Sequence, residues 1–195
     1  MSDKEIRLKK DEKGFTLIEL LVVAAIIGIL LAIAIPNLMK ARMSANEANA
    51  RKSMQTLRDA EGEYYEQDLD DAGGRDFTDI IGDLNTPGSL RSPGDSGEEV
   101  DALIDSSFEG ADMVNNCSDP KAGYCLQWDA VEIVVNPTTG LYDDFGWQAS
   151  MSSFNKTGRR DFSVYGDGAI RCTVSTEATS APGTFESDRT SPGCD

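Results

Sequence analysis

Histidine is absent from the 195-residue chain. A Ser-His-Asp or Cys-His nucleophile system therefore has no base. The commonest zinc ligand is missing too, which leaves metal chemistry to carboxylates or cysteines alone. Basic residues are scarce: Lys and Arg total 18 against 34 Asp and Glu, for a net charge of −16. A protein that binds nucleic acid by displacing counterions needs a cationic surface, and this chain has the opposite balance. Aromatic residues make up only 7% and apolar residues 39%, and much of the apolar content is gathered in one segment. No internal repeat is visible. The length suits one domain of ordinary size with a modest core.

Residues 1–14 are short, polar and mixed in charge, with five basic side chains (Lys4, Arg7, Lys9, Lys10 and Lys13). From Phe15 to Ile35 the chain is apolar, interrupted only by Thr16, Glu19 and Gly28. A helix of that length is about 30 Å long and matches the hydrocarbon core of a bilayer. The basic flank lies before the span, so the leader is expected to stay cytoplasmic and the rest to face outward. A secretory signal peptide has a shorter apolar region and a small-residue cleavage site after it. Here the small residue, Gly14, comes before the apolar run. Glu19 lies inside the span, where a carboxylate costs about 2.5–3.5 kcal/mol on insertion scales and usually has a specific partner.

The segment from Lys13-Gly14-Phe15-Thr16-Leu17-Ile18-Glu19 through Gly28-Ile29-Leu30 and on to Ile33-Ala34-Ile35-Pro36 resembles the class III leader and first helix of type IV prepilins and type II secretion pseudopilins. The resemblance covers about 25 residues. It implies that prepilin peptidase cuts between Gly14 and Phe15 and that Phe15 becomes an N-methylated N-terminus. It also implies that Glu19 pairs with the free amine of a neighbouring subunit's Phe15 during assembly. An adjacent ammonium offsets the cost of a carboxylate in hydrocarbon. The other readings of Glu19 are a protonated side chain or one that snorkels to the membrane surface. Gly weakens a helix and Pro removes a backbone donor. In the family the stretch between Gly28 and Pro36 loses helical structure in some filaments, and a gentle kink is the alternative. Without residues 1–14 the chain carries 13 basic and 30 acidic groups, a net charge of −17.

Beyond Pro36 the sequence predicts a continuing helix to about Gln67, rich in good helix formers. Ala50, Met54, Leu57 and Tyr64 share one face, which predicts a stripe against a globular head. Arg51, Lys52 and Arg58 lie opposite, solvated or meeting other subunits. Residues 40–58 carry five basic groups and one acidic group, whereas the chain from Asp59 onward carries 28 acidic and eight basic ones. Gly73 and Gly74 read as helix stops. Asp68, Asp70, Gly73 and Asp79 only partly mimic an EF-hand loop, with Ala72 at a ligand position. Residues 85–97 read as a Pro/Gly/Ser loop and Glu98–Ser106 as a short helix with Val100, Leu103 and Ile104 on one face. Strands are predicted at Tyr124–Trp128, Glu132–Val135, Gly146–Met151, Asp161–Tyr165 and Ala169–Val174, the last two joined by Gly166-Asp167-Gly168. That hairpin is similar to the terminal hairpin of many small pilin-like proteins.

The expected fold is α+β: a long N-terminal helix, half membrane-spanning and half amphipathic, packed on a small antiparallel sheet. The expected divisions are a leader (1–14), an assembly half of the helix (15–36), an amphipathic half (37–67) and an acidic head (68–195). Cys117, Cys125, Cys172 and Cys194 all lie in the head, where disulfides persist outside the cytoplasm. Four cysteines allow three pairings. Cys117–Cys125 is favoured because it closes a short loop, and Cys172–Cys194 because it pins a tail with little apolar content.

Ser118-Asp119-Pro120-Lys121 fits S-x-x-K and Lys156-Thr157-Gly158 fits K-T-G, as in the penicillin-binding fold. Pro120 in a Gly- and Cys-rich loop argues against an active-site helix. Asn116-Cys117-Ser118 and Asn155-Lys156-Thr157 match glycan acceptor triplets. The sequence thus points to a structural subunit and not an enzyme, with no cofactor and no metal. Its partners are expected to be other copies of itself, prepilin peptidase, an inner-membrane assembly platform and the membrane before assembly, with no nucleic acid bound by the acidic head. The expected course is from the inner membrane to a surface pilus serving adhesion, motility or DNA uptake. The alternative is a pseudopilin of a type II secretion system.

Overall fold

In the computed structural model, residues 14–67, 74–85, 103–175 and 185–194 are described. The first helix, α1, runs from Leu17 to Gln67, and short helices α2 (Ile81–Asn85) and α3 (Ser107–Ala111) follow. Four strands come next: β1 (Tyr124–Trp128), β2 (Gly146–Met151), β3 (Arg160–Tyr165) and β4 (Ile170–Val174). They form one antiparallel sheet in sequence order. The chain divides into two compact units, residues 1–40 and 41–195.

In the described part of the first unit, residues 14–40, the side chains are solvent-exposed. α1 remains helical through Gly28 and Pro36. A proline ring removes the hydrogen bond that its N–H would make one turn back, so the helix is locally weaker there. In the second unit the same helix is amphipathic. Ala50, Met54, Leu57 and Tyr64, the expected stripe, are buried, and they are joined by Ser53, Ala60 and Glu61.

Strand alternation divides the sheet into two unlike faces. Trp147, Ala149 and Met151 of β2 pair in register with Val164 and Phe162 of β3 and with Trp128, Leu126 and Tyr124 of β1. These apolar side chains join the α1 stripe in one hydrophobic cluster. The alternate positions Gln148, Ser150, Asp161 and Ser163 are polar and also buried. Residues 185–191 supply partners to much of that face, although Asp161 Oδ1 has none among the described residues. Gln148 Nε2 donates to the Ser187 carbonyl at 2.9 Å, the Ser163 and Ser187 hydroxyls lie 2.8 Å apart, and the Glu186 N–H donates to Asp161 at 3.0 Å. Around the β4 edge, the Cys172 N–H donates to the Pro192 carbonyl and the Cys194 N–H to that of Ile170.

The disulfides are Cys117–Cys125 and Cys172–Cys194, with Cα separations of 5.5 and 5.4 Å. The second fixes the end of this tail to β4.

Two expectations need correction. Glu132–Val135 is not a strand. Asp129 instead accepts the Val131 and Glu132 N–H groups and the Ile133 N–H bonds to the Asp129 carbonyl, which bends the segment into turns. Ile133 is buried, and Val131 and Val134 point outward. The short helix expected at Glu98–Ser106 also differs. Its first part lies outside the described residues, but 103–106 are not helical and the helix starts at Ser107. Ile104 is still buried, held by its N–H to the Leu84 carbonyl at 3.0 Å. Asp68, Asp70, Gly73, most of the 85–97 loop and Val100 lie outside the described residues. Asp79 accepts a hydrogen bond from the Tyr142 hydroxyl at 3.0 Å.

Candidate functional site

The N-terminal site is built on the first turn of α1. Thr16 caps the helix: its hydroxyl accepts the Glu19 N–H at 3.3 Å. Glu19 replies with one carboxylate oxygen, which accepts the Thr16 N–H at 2.8 Å and the Thr16 hydroxyl at 2.7 Å. This is a reciprocal capping box, which satisfies donors that a helix start leaves open. The Thr-x-x-Glu spacing before an apolar run is its sequence signal, and it gives Glu19 a partner within its own chain.

Glu19 lies in a shallow surface with Phe15, Ile18, Val22 and Val23. The single polar side chain is thus ringed by exposed apolar ones, with Phe15 81% exposed. Gly14 precedes the helix in an exposed, non-helical position. A Cβ at Gly28 would meet no heavy atom within 4 Å, so nothing inside one subunit requires a glycine there. The helix from Leu17 onward is long and apolar enough to cross a membrane, and no part of its apolar window is buried.

The head holds a second group of polar side chains that sequence analysis did not single out. Glu61 is fully buried. Its Oε1 accepts Trp147 Nε1–H at 2.6 Å and its Oε2 accepts the Thr78 N–H at 3.3 Å. Burial pushes its carboxyl up to about 8, against the lowering effect of these two donors. The signal was available: Glu61 falls on the same helical face as Leu57 and Tyr64. Asp129 accepts the Tyr165 hydroxyl at 2.6 Å, and burial raises Tyr165 well above the usual phenol range. Asp161 is likewise raised by burial, to about 6.

The enzyme-like motifs are placed in structural roles. Lys121 Nζ lies 3.1 Å from both oxygens of Asp105, contacts Ser107 and sits 4.3 Å from the centre of the Phe108 ring. Thr157 bonds its hydroxyl to the Ser153 carbonyl in a tight turn. The asparagines of the two glycan triplets, Asn116 and Asn155, occupy left-handed turns with φ of 55° and 56°. Asparagine tolerates that conformation better than most residues, which accounts for it at both places. Among the described residues no group of three His, Cys, Asp or Glu side chains could hold a metal ion.

Arg51 and Arg58 are not simply solvated. Arg51 donates to the Cys194 carbonyl at 2.5 Å, and Arg58 to the Gly168 carbonyl at 3.3 Å and to Asp59. Arg51 therefore ties α1 to the C-terminal end of its own head, and Arg58 ties it to the β3–β4 turn.

These features define a helix-anchored subunit with an α+β head and an exposed, membrane-length N-terminal helix. Comparison with known proteins agrees. The family described as prokaryotic N-terminal methylation motif matches residues 9–35. The chain is 41% identical over 61 residues to the type IV major pilin protein PilA of Myxococcus xanthus, covering 31% of this chain and 28% of that protein. It is 63% identical over 38 residues to the type IV wide pilus major component PilA4 of Thermus thermophilus, covering 20% and 29%. It is 37% identical over 116 residues to a fimbrial protein of Dichelobacter nodosus, covering 56% and 66%. The chain thus spans under a third of the first two relatives. No solved structure matches it. The chain carries the prokaryotic N-terminal methylation motif and is similar, chiefly over its N-terminal part, to type IV pilus and fimbrial proteins.

Proposed function

We propose that this protein is the structural subunit of a type IV pilus. The observation that carries the reading is the exposed apolar helix inside the matched methylation motif, with Phe15 at its start and Glu19 in its first turn. Prepilin peptidase cuts after Gly14, and Phe15 becomes the methylated N-terminus. The precursor spans the inner membrane once with its leader in the cytoplasm. An assembly platform then moves it into a helical homopolymer at the cell surface, with the acidic heads outward. The filament serves adhesion, motility or DNA uptake. Glu19 exchanges its own Thr16 for the Phe15 ammonium of a neighbour, since opposite charges offset the cost of desolvation. Gly28 and Pro36 are where the helix yields on entering the filament.

The relatives named above are pilus and fimbrial proteins, which favours this reading over a secretion pseudopilin. Mass spectrometry of unreduced filaments sheared from cells tests it. A methylated chain starting at Phe15 is expected to dominate that fraction. A processed chain that stays in the envelope overturns the major-pilin reading.

A further inference from the structure

Among the described residues, the head leaves the outer face of α1 beyond Lys40 uncovered. Ala41, Ala45, Ala48, Lys52, Asp59 and Glu66 are exposed, opposite the buried stripe of Ala50, Met54, Leu57 and Tyr64. Charge is sorted along this helix. Residues 40–52 carry Lys40, Arg42, Arg51 and Lys52 against Glu47 alone. Residues 59–67 carry Asp59, Glu61, Glu63 and Glu66 and no base. Of the basic set, Arg51 is held by the Cys194 carbonyl, whereas Lys52 makes no salt bridge among the described residues.

Beside Lys52 is a recess of about 300 Å³ walled by Asn49, Ser53 and Thr56 of α1 and by Asp105, Phe108 and Lys121, with the Asp105 carboxylate neutralised by Lys121. The Ser53 and Thr56 hydroxyls donate to helix carbonyls and the Lys121 ammonium is paired with Asp105, so the Lys52 ammonium and the Asn49 amide remain to face an occupant. That donor set suits a carboxylate. The small side chains of Ala41, Ala45 and Ala48 allow a second helix to come close on the same face.

Within one chain Lys52 cannot reach the acidic section. Glu63 and Glu66 are eleven and fourteen positions further on, about 17 and 21 Å along the helix axis. The complementarity is therefore between copies. We propose that Lys52 and the recess beside it receive Glu63 or Glu66 of a second copy of this chain, with the two helices parallel and offset by about 17–21 Å. This rests on the pilus reading, which puts all copies in the membrane with one orientation. Such a contact joins two different patches, so it does not close on itself and repeats along a filament. An exposed ion pair adds little stability, so its role is to set register while apolar helix packing holds the copies together.

A zero-length carbodiimide, which joins an amine directly to a carboxylate it touches, tests this on sheared filaments by digestion and mass spectrometry. The Lys121–Asp105 pair, 3.1 Å apart within one chain, is the internal control. A Lys52–Glu63 or Lys52–Glu66 link is expected, and the helix geometry makes any such link intermolecular. It should vanish in Lys52→Arg filaments, which keep the charge but lack the reactive amine. A Lys121–Asp105 link without either Lys52 link overturns the contact alone. Absence of the chain from the sheared fraction overturns the pilus reading and the contact with it.

Discussion

Trp147 Nε1–H donates to Oε1 of Glu61 at 2.6 Å, joining β2 to α1 across 86 positions of sequence. Around that bond lies the core of the head, with Trp147 and Glu61 both fully buried. A carboxyl in that place is held protonated by its surroundings, and Asp79 and Asp83 add like-charge repulsion. Folding therefore binds a proton that the unfolded chain releases.

Head stability is thus expected to fall as pH rises. Glu61 titrates near 4.5 when unfolded and at about 8 in the fold, so its contribution is full below 4.5 and is lost between 4.5 and 8. Asp161, raised to about 6 from 3.8, adds the same sign in the lower part of that range. Thermal melts followed by near-ultraviolet circular dichroism should show a decreasing midpoint from pH 5 to 8. Glu61→Gln should flatten the upper part of the curve. An unchanged slope in that variant rejects the assignment.

Trp147→Phe removes the donor together with one ring of the indole, so a small cavity adds to the lost hydrogen bond. Glu61 then loses its shortest hydrogen bond in a buried place, a loss of about 1–3 kcal/mol. Urea denaturation of the variant and parent measures it, and equal midpoints would show that the bond contributes nothing.

Thr16 and Glu19 separate capping from assembly. Thr16→Ala removes the cap and is expected to weaken the helix start by about 0.5–2 kcal/mol while filaments still form. Glu19→Ala should leave the precursor in the membrane fraction and abolish filaments. Normal filament yield from the Glu19→Ala strain would exclude a role for that carboxylate in assembly.

The tail is held by Cys172–Cys194, which closes a loop of sequence separation 22. A Cys172→Ser, Cys194→Ser double variant should lose about 2–4 kcal/mol. Hydrogen exchange should rise first at the β4 edge, where the Cys172 and Cys194 amides bond across to Pro192 and Ile170 carbonyls. Protection equal to the parent at those amides would show that the tail stays in place without the bond.

Gly146 opens β2 where Ile133 and Tyr165 crowd the backbone. A Cβ there would lie 2.7 Å from Ile133 Cγ1 and 2.8 Å from the Tyr165 ring. Gly146→Ala is expected to cost about 1–3 kcal/mol by overpacking. A melting temperature within error of the parent would show that the 133 turn gives way freely.

Periodicity made much of this architecture readable. The 3.6-residue repeat of Ala50, Met54, Leu57 and Tyr64 marked the buried face of α1. Aromatic or β-branched residues alternating with smaller or polar ones marked β1 to β4, because the two faces of a pleated strand meet different surroundings. Glu132–Val135 misled for the same reason: its valines fit a strand by type, yet Asp129 captures the N–H groups that a ladder would need. Local composition carries no record of a side chain that arrives from a turn next door.

By itself the sequence determined the membrane-length helix, the position of Glu19 in its first turn and the acidic balance of the chain, since each rests on neighbouring residues or on plain counts. Only the tertiary structure decided that Glu61 is buried against Trp147, that Arg51 and Arg58 brace the head, and that residues 185–191 cover the polar face of the sheet. These contacts join residues tens of positions apart. Their energies come from desolvation and hydrogen bonding at places that exist only once the chain has folded.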